Sequence, residues 1–135
     1  MILDEPTNHL DIPSILWLEN LLSERSRTWV AISHDRYFLE KVATSVFEIN
    51  RIYPGSCFSS EGNYSRFLEN REAFLAAEHS RAQSLDNKVR REIEWLRRGP
   101  KARSTKQKAR IDKAYELTSE LANVKSRLRT SSVEI

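Results

Sequence analysis

The stretch MILDEPTNHLD, residues 1–11, decides how the front of the chain is interpreted. Its first three residues are apolar, and two carboxylates, Asp4 and Glu5, follow them directly. An apolar strand that ends in Asp-Glu places both carboxylates at the carboxyl edge of a sheet, where nucleotides bind in α/β folds. In phosphoryl transfer such an aspartate holds Mg²⁺, and the adjacent acid orients or deprotonates the attacking water. The alternative is an acidic turn that caps the next helix.

The residues after this stretch alternate between helical and strand patterns. In chain order the predicted elements are a helix over about 14–25 that Pro13 and Ser14 begin and cap, a buried strand over 28–32, a helix over about 36–43 and a strand over 46–49. Turns are predicted at 53–55 and 61–63. The order strand, helix, strand, helix, strand predicts a parallel or mixed sheet with helices packed on it.

A second polar motif, Ser33-His34-Asp35-Arg36, follows the strand predicted over 28–32. A histidine at a strand end can donate a hydrogen bond to a γ-phosphate, and the alternative is a solvated surface histidine. The two motifs each stand at a strand end with one helix between them. That pairing favours a nucleotide site over two unrelated surface features.

From Tyr64 the pattern becomes helical and stays so. One long helix is predicted to end near Arg98, Gly99-Pro100 interrupts the hydrogen-bond ladder, and a second helix is predicted over about 105–128. The predicted apolar stripes are Phe67, Leu68, Phe74, Leu75, Leu85, Val89, Ile93 and Leu96, then Ile111, Ala114, Tyr115, Leu117, Leu121, Val124 and Leu128. Two long helices joined by a short break predict an antiparallel hairpin. The chain thus divides into an α/β region over 1–63, a hairpin over 64–130 and a frayed tail over 131–135, which includes Ser131 and Ser132.

Charge is distributed unevenly along the chain. Residues 1–84 hold 8 Lys and Arg against 12 Asp and Glu, whereas residues 85–135 hold 14 against 7. The segment 97–110 is cationic throughout, with no acid. Its candidate nucleic-acid ligands are Arg97, Arg98, Lys101, Arg103, Lys106, Lys108 and Arg110. Such a cluster attracts polyphosphate in a salt-sensitive way. The alternative is a solvated helix tip. The flanking helices contain acids that balance their basic residues, so only this tip is expected to carry unbalanced positive charge.

Composition excludes several classes of protein. The chain has 135 residues, enough for one core, and it contains neither an apolar run of bilayer-spanning length nor a secretory leader. We therefore expect a cytoplasmic protein without a membrane partner. The single cysteine, Cys57, has no partner for a disulfide within the chain and no zinc-ligand spacing, so it is expected to be a partly buried apolar residue. His79 is expected to be solvated.

The two polar motifs resemble those of a known family. Asp4-Glu5-Pro6-Thr7-Asn8-His9-Leu10-Asp11 and Ser33-His34-Asp35-Arg36-Tyr37-Phe38-Leu39 are similar to the Walker B, D-loop and switch-histidine segments of ABC ATPases of the ABC-F class. Gly62-Asn63-Tyr64-Ser65 and Phe67-Leu68-Glu69 resemble the segment where these proteins leave their first ATPase domain. The resemblance implies the C-terminal part of an ABC ATPase domain, a partial sheet with flanking helices, followed by a long antiparallel helical hairpin.

The resemblance also implies roles for individual residues. Asp4 would hold Mg²⁺ through water, Glu5 would be the general base for the water that attacks ATP, and His34 would contact the γ-phosphate. The segment from Asn8 to Asp11 would face the opposing ATPase domain of an ATP-closed pair, and His9 would make interface contacts there. ATP and Mg²⁺ are the implied cofactors.

Two motifs of that family are missing from the sequence. A phosphate loop needs Gly-rich backbone with Lys and Ser/Thr, but the three glycines stand at 55, 62 and 99 and none lies in a GxxxxGK[ST] arrangement. The Leu-Ser-Gly-Gly signature is absent too. We therefore expect a fragment that begins within the Walker B strand, ends before a second ATPase domain, and is inactive by itself.

The basic hairpin resembles the linker between the two ATPase domains of ABC-F proteins. The resemblance rests on Glu92 to Leu96, Gly99, Ala102-Arg103, Lys106 and Ala109-Arg110. It implies a translation factor whose hairpin reaches tRNA on the ribosome. Two alternatives stay open at this point: a Uup-like ATPase that acts on branched DNA, and a non-enzymatic basic module that binds nucleic acid.

Overall fold

The structure is a computed structural model that describes residues 1–24, 28–98 and 105–131. Its elements are β1 (Ile2–Asp4), α1 (Ile12–Ser23), β2 (Val30–Ile32), α2 (Arg36–Val42), β3 (Ser45–Ile49), a 3₁₀ turn (Pro54–Ser56), β4 (Cys57–Glu61), α3 (Tyr64–Arg97) and α4 (Thr105–Ser131). They form two compact units. The first unit comprises residues 1–48 and 58–71, and the second comprises residues 49–57 and the described residues from Glu72 onward. Small sheets with flanking helices, followed by a helical hairpin, confirm the predicted fold class.

The first unit contains a parallel pair of strands. β1 and β2 run in register, with Ile2 opposite Val30 and Asp4 opposite Ile32, so both strands end at the same edge. Leu3 and Ala31 pack against the helices, but Ile2, Val30 and Ile32 keep 84%, 62% and 60% of their surface exposed. The strand expected to be buried over 28–32 is therefore shorter than predicted and buried on one face only.

Helices α1 and α2 supply the core of the first unit. Leu18 and Leu22 of α1 pack with Phe38 and Val42 of α2, and Phe38 is fully buried. The predicted helix α1 begins two residues early, because the Asp11 carboxylate accepts a hydrogen bond from the Ser14 backbone N–H at 3.1 Å. Asp11, and not Ser14, is the cap, and Pro13 lies in the first turn, where its missing N–H costs nothing.

The predicted single sheet is wrong for the described residues. β3 pairs with β4, a strand the sequence did not predict, and the described strands form two two-stranded sheets. The Pro54–Ser56 turn reverses the chain between them, with Gly55 at φ 76° and the Asn50 N–H donating to the Ser56 carbonyl at 3.0 Å. The strand β4, Cys-Phe-Ser-Ser-Glu, is too polar to give a strong strand signal, and Cys57 within it is exposed instead of partly buried.

The second unit is dominated by the hairpin of α3 and α4. Ala82, Leu85 and Val89 of α3 pack against Leu121 and Val124 of α4, and these five residues are buried. α4 runs to Ser131, three residues beyond its predicted end, and therefore includes Thr130 and Ser131. Three members of the predicted stripes are exposed because they lie at the margins of the packed faces: Leu68 (42%), Ile93 (40%) and Tyr115 (72%).

Ion pairs between α3 and α4 show that the helices run antiparallel. Arg81 pairs with Glu120 and Glu92 pairs with Arg110, so positions further along α3 meet positions earlier on α4. His79 is exposed, as predicted. Among the described helices, none is long and apolar enough to cross a bilayer.

Candidate nucleotide site and basic hairpin

The two polar motifs of the sequence meet at the common edge of β1 and β2. The backbone N–H of His34 donates to Glu5 Oε2 at 3.3 Å, and His34 Nε2 lies 3.5 Å from Glu5 Oε1. Of the two side chains, His34 is 96% exposed and Glu5 is 24% exposed. The structure therefore brings a half-buried carboxylate and an accessible imidazole together, although 29 positions separate them in the chain.

Glu5 is held by backbone contacts on both sides. Its N–H donates to the Ile32 carbonyl at 2.8 Å, and its own carbonyl accepts from the Asn8 N–H at 3.1 Å. Its φ of 42° lies in the left-handed region, which a residue with a Cβ adopts at some cost. The helix after this turn is capped by Asp11, so the alternative that Asp4 and Glu5 form a capping turn for α1 does not hold.

Two residues beside His34 fix the loop that carries it. The Asp35 carboxylate accepts from the backbone N–H groups of Tyr37 (3.0 Å) and Phe38 (3.1 Å), which makes Asp35 the N-cap of α2. Ser33 Oγ in turn accepts from the Asp35 N–H at 3.1 Å. Sequence reasoning assigned no role to Ser33 or Asp35, yet a Ser-x-Asp directly before a helical stretch is a recognisable capping signal.

The other predicted residues of this site surround the pair. Asp4 ends β1 and is exposed, and Asn8, His9 and Asp11 are exposed in the segment that leads to α1. Hydrogen bonding from Ser14 lowers the pKa of Asp11 below its usual value, so this carboxylate is ionised while it caps the helix. The roles assigned to Asp4, Asn8 and Asp11 at a nucleotide stay predictions.

The donor set fits Mg²⁺ in the way that nucleotide enzymes use it. Among residues 1–24, 28–98 and 105–131, no group of three or more His, Cys, Asp or Glu side chains could hold a metal by itself. Mg²⁺ in such enzymes is bound by one or two carboxylates together with substrate phosphates and water. The exposed carboxylate of Asp4 at the strand edge, next to Glu5, would be one ligand of that kind.

The cationic residues at the tip of the hairpin fall into two groups. Arg97 and Arg98 at the end of α3 and Lys108 in α4 are exposed to solvent. Lys101 and Arg103 lie outside the described residues, as does the side chain of Lys106, whose backbone belongs to α4. Among the described residues, these three exposed cations lie near the end of α3 and the start of α4.

Arg110 differs from these residues, because its charge is matched within the hairpin. Its Nε donates to Glu92 Oε2 at 2.7 Å and its Nη2 donates to Glu92 Oε1 at 3.3 Å. Its guanidinium carbon also lies 4.1 Å from the centre of the Trp95 ring. The Glu92 carboxylate raises the pKa of Arg110, and the Arg110 guanidinium lowers the pKa of Glu92. The expectation that the acids of the flanking helices leave every tip cation unbalanced is therefore wrong for Arg110.

Comparisons with known proteins identify the class to which this arrangement belongs. A family model described as "ABC transporter" matches residues 52–133. The uncharacterised ABC transporter ATP-binding protein YfmR of Bacillus subtilis is 49% identical over 117 residues, which are 87% of this chain and 18% of that protein. The energy-dependent translational throttle protein EttA of Escherichia coli K12 is 45% identical over 119 residues, 88% of this chain and 21% of EttA. EttA of Mycobacterium tuberculosis H37Rv is 41% identical over 120 residues.

The family model, which covers residues 52–133, together with these relatives places the chain among ABC proteins. Within that superfamily the chain belongs to the ABC-F family, as the resemblance of its motifs predicted. The chain spans about one fifth of the length of the curated relatives it matches.

Proposed function

We propose that this chain is part of an ABC-F ATPase that couples ATP binding and hydrolysis to engagement of the ribosome and tRNA during translation. The observation that carries the ATPase half of the proposal is the contact between Glu5 and His34 at the shared edge of β1 and β2. The name of the relative EttA, a translational throttle protein, supports the translational half. An ATPase of this kind works in the cytoplasm, without a membrane partner.

The arrangement of the site suits an in-line attack of water on a γ-phosphate. The Glu5 carboxylate accepts the proton of the attacking water, and the His34 backbone N–H orients that carboxylate through Oε2. The exposed imidazole of His34 donates a hydrogen bond to the γ-phosphate, because its ring extends into solvent beyond the strand edge. Asp4 would hold Mg²⁺, which would supply neutralisation of charge on the phosphate oxygens.

The rest of the site comes from elsewhere in a longer protein. The sequence holds no Gly-rich phosphate loop and no Leu-Ser-Gly-Gly signature, so we expect no ATP hydrolysis from these residues alone. Asn8 and Asp11 lie exposed beside the strand edge, where the second ATPase domain of the protein would contact them. Closure of the two domains on ATP would then bring the hairpin to its target.

The exposed cations of the hairpin tip are the proposed contacts to RNA. Arg97, Arg98 and Lys108 are exposed, and Lys101, Arg103 and Lys106 add to the same cationic segment in sequence. Such residues bind phosphate without reading sequence, so the affinity should fall steeply with salt. A tRNA on the ribosome presents that kind of surface.

The experiment that tests the proposal is co-sedimentation of the full-length protein with ribosomes. In Glu5→Gln the general base is lost while its shape is kept, so turnover should fall by about 10²–10⁴-fold and ATP should stay bound. We expect this variant to remain with ribosomes when ATP is present and to dissociate without it. Glu61→Gln, an exposed glutamate of β4 away from both motifs, is the matched control and should behave as wild type.

Two results would contradict the proposal in different ways. Near-normal turnover of Glu5→Gln would remove Glu5 from the chemistry. A variant that binds ATP but never sediments with ribosomes would rule out the ribosome as partner, and branched DNA would then be the ligand to test. Reversing Arg98 and Lys108 to Glu should weaken retention on ribosomes while basal ATP turnover stays the same, because neither residue belongs to the nucleotide site.

A further inference from the structure

We infer that Arg110 is a positioning residue and not a nucleic-acid ligand: with Glu92 and Trp95 it forms a clamp that holds α4 against α3 beside the cationic tip. The Arg110 side chain already contacts both of these residues. Two guanidinium nitrogens face the two oxygens of one carboxylate, and the flat face of the group lies over an indole ring. Together these contacts use Nε, Nη2 and one face of the guanidinium group, which leaves fewer donors for a phosphate.

The clamp joins two helices at a defined place. Glu92 and Trp95 lie one turn apart near the end of α3, and Arg110 lies in the second turn of α4. A bidentate pair of arginine and carboxylate fixes direction as well as distance, which a lysine in the same place would not do. Stacking on an indole adds a cation–π attraction that is strongest for tryptophan.

A clamp at this position determines how the exposed cations are presented. Arg97 and Arg98 follow Trp95 within three residues, and Lys108 precedes Arg110 by two. If the helix ends are held together before binding, less ordering is required when a phosphate backbone binds. Loss of the clamp should therefore weaken nucleic-acid binding by about three- to tenfold, the equivalent of ordering one side chain.

The sharpest test is a variant that keeps the net charge, Glu92→Gln with Arg110→Gln, compared with Lys108→Gln as the matched control. Both are measured for RNA affinity against salt concentration in the full-length protein. Lys108→Gln removes a free cation, so the slope of log affinity against log salt should become shallower by about one. The double variant removes one cation and one acid that neutralise each other, so it should bind more weakly with an unchanged slope.

A second measurement tests the clamp without nucleic acid. The 135 residues contain three tryptophans. When the protein is labelled with 5-fluorotryptophan, the fluorine NMR signal of Trp95 is the one that disappears in Trp95→Phe. Arg110→Gln and Arg110→Lys should both shift the Trp95 signal, because Lys keeps the charge but loses the fork. The signal of Trp29, whose Nε1 donates to the Leu22 carbonyl at 2.9 Å, should stay in place and reports that the first unit is intact.

The effect of the clamp on RNA binding rests on the proposed function. The two measurements nevertheless distinguish a failure of the clamp from a failure of that function. The clamp would be contradicted if the Trp95 signal did not shift in Arg110→Gln. It would also be contradicted if the salt slope became as shallow in the double variant as in Lys108→Gln. If the wild-type protein did not bind RNA, the proposed function would be contradicted. The Trp95 signal would still show whether Arg110 contacts Trp95 as the clamp requires.

Discussion

The β1–β2 strand edge of the first unit and the hairpin of the second unit differ in how their charged side chains are exposed and paired. At the strand edge Glu5 is 24% exposed but its partner His34 is 96% exposed, so the imidazole of the pair faces outward. In the hairpin, the acids Glu78, Asp86 and Glu92 on α3 each pair with a basic residue of α4. A charged residue in the sequence is therefore not the same as a charge available to a ligand.

Apolar residues show the same contrast. The β1–β2 pair buries Leu3 and Ala31 on one face and exposes Ile2, Val30 and Ile32 on the other. The described part of the hairpin instead buries one continuous stripe between its two helices. Stability of the first unit should therefore depend on a few large side chains, whereas stability of the hairpin is spread along its length.

The largest expected effect is on the first unit. Phe38→Ala removes a fully buried ring from the cluster under α1 and α2, which should cost about 3–5 kcal/mol. In urea unfolding followed by 5-fluorotryptophan, the midpoint of the Trp29 signal should fall and that of the Trp95 signal should hold. Tyr37→Ala, at an 88% exposed neighbour, should change either midpoint by less than about 0.5 kcal/mol. Equal shifts of both signals would mean that the two units unfold as one.

A smaller effect is expected in the hairpin. Val124→Ala removes two methyl groups from a side chain that is 1% exposed, which should cost about 2 kcal/mol. Here the Trp95 midpoint should fall while the Trp29 midpoint stays. Ala122→Gly at an exposed helix position should cost about 1 kcal/mol and is the control for general helix loss. If Val124→Ala lowered the free energy of unfolding no more than Ala122→Gly does, that result would contradict the burial of the apolar stripe.

The sequence predicted the helices better than the sheets, for a physical reason. Helical periodicity is local, so α3 and α2 were predicted to within a residue or two of their observed ends. The sequence predicted the turn at 53–55 after β3, but the polar residues of β4 give little strand signal, so it did not show that β3 pairs with β4. Glu5 and His34 were each predicted at a strand end, and they meet because parallel strands end at one edge. The pairing of Arg110 with Glu92 depends instead on the register between two helices.

The next prediction concerns the loop that carries His34. Asp35→Ala removes the cap that accepts from the Tyr37 and Phe38 N–H groups and should cost about 1 kcal/mol in the Trp29 unfolding signal. Asp35→Asn keeps a capping oxygen and should recover most of this loss. If Ala and Asn give the same stability, the carboxylate does not act as a cap and another contact positions His34.

The smallest effect should appear as a dependence on pH. Hydrogen bonds from Lys125 and Arg110 lower the pKa of Asp86 and of Glu92 below their ordinary values of 3.8 and 4.5. Because each folded pKa is lower than the unfolded one, the ionised carboxylates stabilise the hairpin above about pH 4.5. That stabilisation is lost as the pH falls through the lowered values.

The measurement is the urea midpoint of the Trp95 signal between pH 6 and pH 2.5, at low and at high salt. Replacing Glu92 and Arg110 together with Gln should flatten part of the acid dependence, whereas Glu116→Gln, an exposed position of α4, should leave it unchanged. High salt should weaken the dependence, because the side chains of these pairs are partly exposed and screened. An acid dependence of the same size in both variants would show that the pair of Glu92 and Arg110 does not stabilise the hairpin. The contrast with Glu5 and His34 would then be one of geometry and not of stability.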